Sequence, residues 1–291
     1  MRDGLDRLNI ELSAHCSYAC VSCPNTFMER RKGHMNLNLF KLIYDEIEDS
    51  VMKVFLWNYG EPLLNPQIGE IIAYTNNKGP RTILSTTGVT LSSRDDVSFL
   101  GQLGELIISV NGFDEGTYSF HQKGGSLEDI ANGLERIKTT MQDSNTLYVL
   151  QTVLNSQNIS QIEQAHEFAA RYGFNKLVLK SFNVMDDKPE TRKLFVPEGS
   201  KFSRSDTSER LFGYPCLNWM VINWNGDVNL CCWDYEGKII VGNVREQGVF
   251  GVWNSDMMES LKSKLESEKI LPYCGSCTMK TTIDERVLHN G

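Results

Sequence analysis

Apolar residues recur along this chain in two alternating rhythms. Short runs rich in β-branched and large apolar residues predict six strands: 8–12 (Leu-Asn-Ile-Glu-Leu), 54–57, 82–85, 106–110, 147–153 and 176–180. The segments between them carry helical periodicity. Leu39, Phe40, Ile43 and Ile47 fall on one face, as do Leu127, Ile130, Leu134 and Ile137 behind Ser126, a cap residue. Asn65-Pro66 reads as an N-cap and first turn, Ser160 with Glu163 as a capping box, and Gly173 as a C-terminal stop. Repeated strand-helix units predict an α/β domain with a parallel sheet and right-handed crossovers, either open and doubly wound or a partial barrel. Length leaves both open.

Beyond Met185 the rhythm fades into Asp, Lys, Pro, Ser and Glu as far as Arg210, which reads as a connection or a loop over a site. Periodicity then resumes. Residues 219–222 and 228–230 form a predicted hairpin around Asn225-Gly226-Asp227, and 257–268 a short helix. The expected organisation is a large domain over 1–185, a connecting segment over 186–210 and a small domain over 211–291.

Composition narrows the function classes. With 41% hydrophobic and 23% charged residues, the chain has the makeup of a soluble globular protein with a full core. A net charge of -8 gives no general attraction to phosphate backbones, so no nucleic-acid partner is expected. The first six residues are too polar for a signal peptide and no run of about 18 apolar residues occurs, so neither export nor a membrane partner is expected. The expected location is the cytoplasm, where thiols stay reduced and eight cysteines argue against structural disulfides.

The cysteines fall in two groups: Cys16, Cys20 and Cys23, then none until Cys216, Cys231, Cys232, Cys274 and Cys277. Two thiol clusters separated by a cysteine-free stretch read as two metal centres. The first lies directly after the first strand, where sites gather in parallel α/β folds. Three thiolates can hold three irons of a cubane and leave the fourth open to a ligand; structural zinc bound with His15 is the plainer alternative.

C-x3-C-x2-C after the first strand resembles the signature of the radical SAM superfamily. That resemblance implies a partial (β/α)6 barrel and a [4Fe-4S] cluster whose open iron is chelated by S-adenosylmethionine (AdoMet). One electron from the cluster, supplied by a reducing partner such as flavodoxin or ferredoxin, then yields methionine and a 5'-deoxyadenosyl radical that abstracts a hydrogen atom. Ser22 stands where the family usually has an aromatic residue. Tyr59-Gly60-Glu61-Pro62 is similar to the family's glycine-rich segment at the methionine amino group, with Tyr59 in place of a glycine. Ser85 and Thr86, then Ser109 and Asn111, match its polar ribose and carboxylate positions, and Gln122 falls where relatives often carry an arginine.

Pro215-Cys216, Gly226 and Cys231 resemble the first half of the SPASM auxiliary-cluster motif. With no cysteine after Cys277, the resemblance is to the shortened twitch form, a hairpin plus helix holding one further [4Fe-4S] cluster through Cys216, Cys231, Cys274 and Cys277. Four-cysteine zinc is the alternative here. Cys232 is left over, either a spare thiol or a catalytic hydrogen-atom donor. Among radical SAM enzymes with a short twitch domain, the string Tyr59 to Leu64, Gly242-Asn243, Val252-Trp253-Asn254 and the final Cys-x2-Cys resemble the 2-deoxy-scyllo-inosamine dehydrogenase type, which implies oxidation of a secondary alcohol on a small sugar or aminocyclitol substrate. Radical epimerisation with Cys232 as donor, modification of a ribosomal peptide, and a non-enzymatic zinc or interaction protein are the competing readings. His121, Glu11 and Lys180 lie near predicted strand ends as possible bases, although a structural role suits each better.

Overall fold

The computed structural model describes residues 4–47, 50–76, 79–186, 188–203, 216–267 and 283–288. The chain divides into two compact units, one formed by Met1–His15, Met28–Leu84 and Ser208–Met279, the other by Cys16–Phe27, Ser85–Thr207 and Lys280–Gly291.

The first unit is built on β1 (Arg7–Ile10), which pairs in parallel with β2 (Lys53–Phe55); β2 in turn pairs in parallel with β3 (Arg81–Thr86), whose last two residues pass into the second unit. Leu8 and Ile10 are fully buried. The crossovers carry α1 (Leu37–Ile47) and α2 (Ile68–Thr75), and α1 buries the predicted face Leu39, Phe40, Ile43 and Ile47 together with Tyr44. Each such side chain contributes about 1.5–3 kcal/mol.

The predicted hairpin is present as β7 (Trp219–Ile222) and β8 (Asp227–Asn229), with Gly226 at φ 96 in the turn. The sequence did not reveal that β7 pairs in parallel with β1, register Leu8↔Met220 and Ile10↔Ile222, so the hairpin extends the same sheet. β9 (Ile240–Asn243) adds antiparallel to β8. Two helices follow. α7 (Val244–Trp253) is broken at Gly248, where the Glu46 carboxylate accepts from the Val249 and Phe250 N–H groups, and α8 (Asp256–Ser267) matches the predicted C-terminal helix.

The second unit holds β4 (Glu105–Ser109), β5 (Leu147–Leu154) and β6 (Lys176–Ser181) in parallel, with β10 (Ile283–Val287) antiparallel on β6. Its helices are α3 (Glu115–His121), α4 (Leu127–Gln142), α5 (Ile162–Arg171) and α6 (Pro189–Phe195). Ser126 caps α4 as expected, accepting from Asp129 N–H, and Gly173 follows α5 at φ 73. All six predicted strands therefore form, alternate with helices and show parallel pairing within each unit.

Three local expectations are corrected. Asn65 does not open a helix: its Oδ1 accepts from Gln67 N–H, its Nδ2 donates to the Leu12 and Met35 carbonyls, and α2 starts at Ile68. Ser160 sits inside a 3-10 turn (Ile159–Gln161) and makes no capping box. The supposed connection after Met185 contains α6, which starts at Pro189 and buries Thr191 and Phe195.

Candidate active site

In the second unit, the loop bearing Cys16, Cys20 and Cys23 is tied down by its backbone. Ala19 N–H donates to Lys123 O (2.8 Å) and Val21 N–H to His121 O (3.1 Å), so the loop rests on the end of α3. Cys23 N–H donates to Cys20 O, and Thr26 closes the far side through its amide to Cys23 O and its hydroxyl to Cys20 O. Tyr18 is buried beneath, accepting from the Tyr118 hydroxyl; a Cβ on Gly125 would come within 2.6 Å of its ring. Burial first, then Tyr18 and Cys20, hold the Tyr118 phenol far above its ordinary pKa, so it stays a donor.

Ser22 explains how a small polar residue replaces an aromatic one. It is the single non-glycine residue at positive φ (60) among the described residues. Its hydroxyl accepts from Met185 N–H (2.6 Å) and Asp186 N–H (3.2 Å) and donates to Asp186 Oδ1 (3.3 Å), while Asp186 Oδ2 accepts from Thr191. The loop is latched to the segment that leads into α6. No sequence rule marks this pairing, because the partners lie more than 160 positions apart.

The three thiols are unbridged and partly buried. Among the described residues no three His, Cys, Asp or Glu side chains are grouped to hold one metal ion. A cubane instead offers its thiolates separate iron corners. Three thiols within eight residues of one loop, with no other cysteine in the sequence before Cys216, are a donor set that fits a [4Fe-4S] cluster with one open iron.

Tyr59 to Pro62 lie in the first unit, in the turn after β2. Glu61 is buried; its N–H donates to His15 O (2.8 Å), and its carboxylate accepts from Leu63 N–H (3.0 Å), capping a 3-10 helix that begins at Pro62. Gly60 packs so closely on Ser13 and Ala14 that a Cβ would meet backbone at 1.9 Å. Its need for glycine thus comes from the protein's own chain. Tyr59 donates from its hydroxyl to Cys232 O at 2.6 Å.

At the ends of β3 and β4, Ser85 and Ser109 are half-buried, and Thr86 Oγ1 accepts from Gly88 N–H. Asn111 and Gln122 are committed elsewhere. Asn111 Oδ1 accepts from Val153 N–H, and Gln122 braces the strand end, accepting from Asn111 N–H and donating to Ser109 O.

The auxiliary group is described in part. Cys216 opens a 3-10 helix before β7, while Cys274 and Cys277 lie outside the described residues. Cys231 follows β8 and is buried; its Sγ accepts from Trp233 N–H at 3.3 Å. Cys232 is half-buried. Asp234 fixes this loop, donating its N–H to Cys231 O and accepting from Lys238 and Ile239 N–H at 2.9 Å each.

Two proposed bases have structural partners. Glu11 is fully buried and paired through both oxygens to Arg30 (2.9 and 2.5 Å), whose Nε donates to Tyr235 O. His121 takes an amide hydrogen from Asn155 on Nδ1, and burial lowers its pKa from 6.5 to about 4, so it is neutral at pH 7. Arg30 went unnoticed in the sequence because it lies in a polar stretch without periodicity.

Known proteins with the same pattern place the chain. The model of the radical SAM superfamily matches residues 10–169, and the model of the SPASM iron-sulfur cluster-binding domain matches 216–278. Mycofactocin maturase MftC of Mycobacterium tuberculosis is 26% identical over 315 aligned positions, covering 94% of this chain and 76% of its own length. The AdoMet-dependent 2-deoxy-scyllo-inosamine dehydrogenase of Niallia circulans is 22% identical, covering 89% and 86%. Among solved structures, BtrN in complex with AdoMet and 2-DOIA superposes with TM-score 0.56 at 17% identity, covering 91% and 89%. SuiB of Streptococcus suis bound to S-adenosylmethionine gives 0.63 at 15% identity, covering 88% and 67%. These likenesses share the mixed α/β fold with its parallel sheet, and the superfamily brings AdoMet and a [4Fe-4S] cluster, the SPASM domain auxiliary iron-sulfur. With the first model spanning more than half of its residues, this chain belongs to the radical SAM superfamily and is a radical SAM enzyme.

Proposed function

We propose that the enzyme oxidises a secondary alcohol of a small sugar- or aminocyclitol-like substrate to a ketone. The observation that carries the reading is the match to the Niallia circulans dehydrogenase and, in structure, to BtrN, each covering more than four-fifths of both chains. Bound together, cluster and AdoMet supply a 5'-deoxyadenosyl radical, and the SPASM centre a one-electron acceptor. The alcohol R2CHOH then becomes R2C=O by giving one hydrogen atom to the radical, one proton to a base and one electron to the acceptor.

In this reading Cys16, Cys20 and Cys23 hold the AdoMet cluster, and Cys216, Cys231, Cys274 and Cys277 the auxiliary one. Tyr59, Gly60, Glu61, Pro62, Ser85, Thr86 and Ser109 line the AdoMet site. Asn111 and Gln122 act by setting the backbone at the end of β4, since their side chains are engaged there. The radical-generating part covers 1–185 and the auxiliary part 211–291, joined by 186–210. A flavodoxin or ferredoxin as reductant and a cytoplasmic setting complete the proposal. Among the described residues no helix is long and apolar enough to cross a membrane.

A second reading, modification of a peptide, is favoured by the likeness to SuiB of Streptococcus suis solved bound to precursor peptide SuiA, with TM-score 0.61 at 15% identity. One experiment separates the two. The reconstituted enzyme, dithionite and AdoMet are incubated with 2-deoxy-scyllo-inosamine deuterated at its carbinol carbons. Deuterium in 5'-deoxyadenosine together with a ketone product is expected. Deuterium-free 5'-deoxyadenosine and no ketone, across a panel of deuterated cyclitols and sugars, refutes the alcohol reading. Epimerisation predicts a solvent hydrogen at an inverted carbon and no ketone, and a Cys232→Ala variant tests its thiol donor.

A further inference from the structure

Tyr59 and the auxiliary cysteine loop meet at one peptide group. The Tyr59 hydroxyl donates to Cys232 O at 2.6 Å, and its ring is held edge-on against Tyr235, centroids 5.9 Å apart. That carbonyl belongs to the peptide joining Cys232 to Trp233. The N–H of the same peptide, on Trp233, donates to Cys231 Sγ at 3.3 Å.

A peptide group is planar and conjugated. Pulling electron density toward its oxygen makes its N–H a better donor, the cooperative strengthening found in chains of hydrogen bonds. Two groups in series therefore act on one sulfur: the phenol O–H polarises the peptide, and the peptide N–H meets the Cys231 sulfur. Hydrogen bonds to ligating sulfurs are among the main determinants of an iron-sulfur potential, because they draw off negative charge and favour the reduced cluster. Cys231 is buried, so water competes little for this sulfur.

We propose that Tyr59 tunes the auxiliary cluster, raising its reduction potential through the Cys232–Trp233 peptide. It is a positioning residue, acting on the sulfur through another group. The inference rests on the reading of Cys231 as a cluster ligand. It gives Tyr59, at a position where the superfamily segment has glycine, a purpose on the auxiliary side of the protein. An acceptor with a raised potential takes an electron from a substrate radical more readily: the substrate is oxidised by one electron and the cluster reduced by one.

The test uses the full chain carrying C16A, C20A and C23A, so that only the auxiliary centre titrates. Redox titration followed by electron paramagnetic resonance compares this chain with and without Y59F, which keeps the ring and removes the O–H. A shift of the auxiliary potential to a more negative value is expected. An unchanged auxiliary potential overturns the inference. C231A separates this from failure of the ligand reading: it should lose the auxiliary iron, and iron retained at the parental level removes the ligand assignment and the inference with it. If Y59F itself holds no iron, a ring-fluorinated tyrosine at position 59, a stronger donor, is titrated at neutral pH. A shift to more positive potential supports the proposal and no shift overturns it.

Discussion

Replacement of Gly60 by alanine tests why the turn after β2 takes its shape. The added Cβ would stand 1.9 Å from Ser13 O, 2.6 Å from Ser13 C and 2.8 Å from Ala14 Cα, all backbone atoms. Their segment is held in turn by Ala14 N–H to Gly33 O (2.9 Å) and by the bridge between Ser13 and His34. Relief requires the turn to move away, which breaks the Glu61 N–H bond to His15 O. Overpacking at the top of its usual range costs about 3 kcal/mol, and the broken bond about 1 kcal/mol more. For a chain of this size the melting temperature should fall by about 8–16 °C. Thermal unfolding followed by circular dichroism measures it. G199A is the control, since its Cβ meets nothing within 4 Å and only the strain of φ 72 remains, about 1 kcal/mol. A G60A protein that melts within about 2 °C of the parent would refute the packing argument.

Two further outcomes follow from buried groups. His121 has its folded pKa lowered to about 4 by burial, so between 6.5 and 4 the unfolded chain binds the extra proton and stability falls as pH drops, by about 3 kcal/mol in all; denaturant unfolding at pH 7 and pH 4.5 should show the loss, and an H121N variant should lose this part of it. Ser22→Ala leaves the Met185 and Asp186 amides without their acceptor, costing about 2 kcal/mol and speeding hydrogen exchange at both; protection equal to the parent's would show that the latch contributes nothing.

The strands were legible because their apolar runs are short and bounded, and the helix faces of α1 and α4 because burial repeats every three or four residues. Tertiary partners were not. β7 shows its hairpin partner in the nearby Asn225-Gly226 turn, but its parallel neighbour β1 is some 210 positions away and leaves no local mark. The cysteine spacings announced the iron chemistry, since thiolate chelation by one loop is a local property. The uses of Asn111, Gln122 and Ser22 were hidden, because a polar side chain at a strand end looks the same whether it meets a ligand or a neighbouring amide.

The interleaving of the two units limits how the molecule can be taken apart. The chain changes unit between His15 and Cys16, between Phe27 and Met28 and again between Leu84 and Ser85. The loop with the three cluster cysteines is thus a short excursion, spliced into a unit whose own core includes β1 on one side and α1 on the other. No single scission yields a fragment that consists of one whole unit alone. Dissection by truncation leaves pieces of one unit attached to the other, and the enzyme's two iron-binding regions are better separated by changing ligands than by cutting the chain.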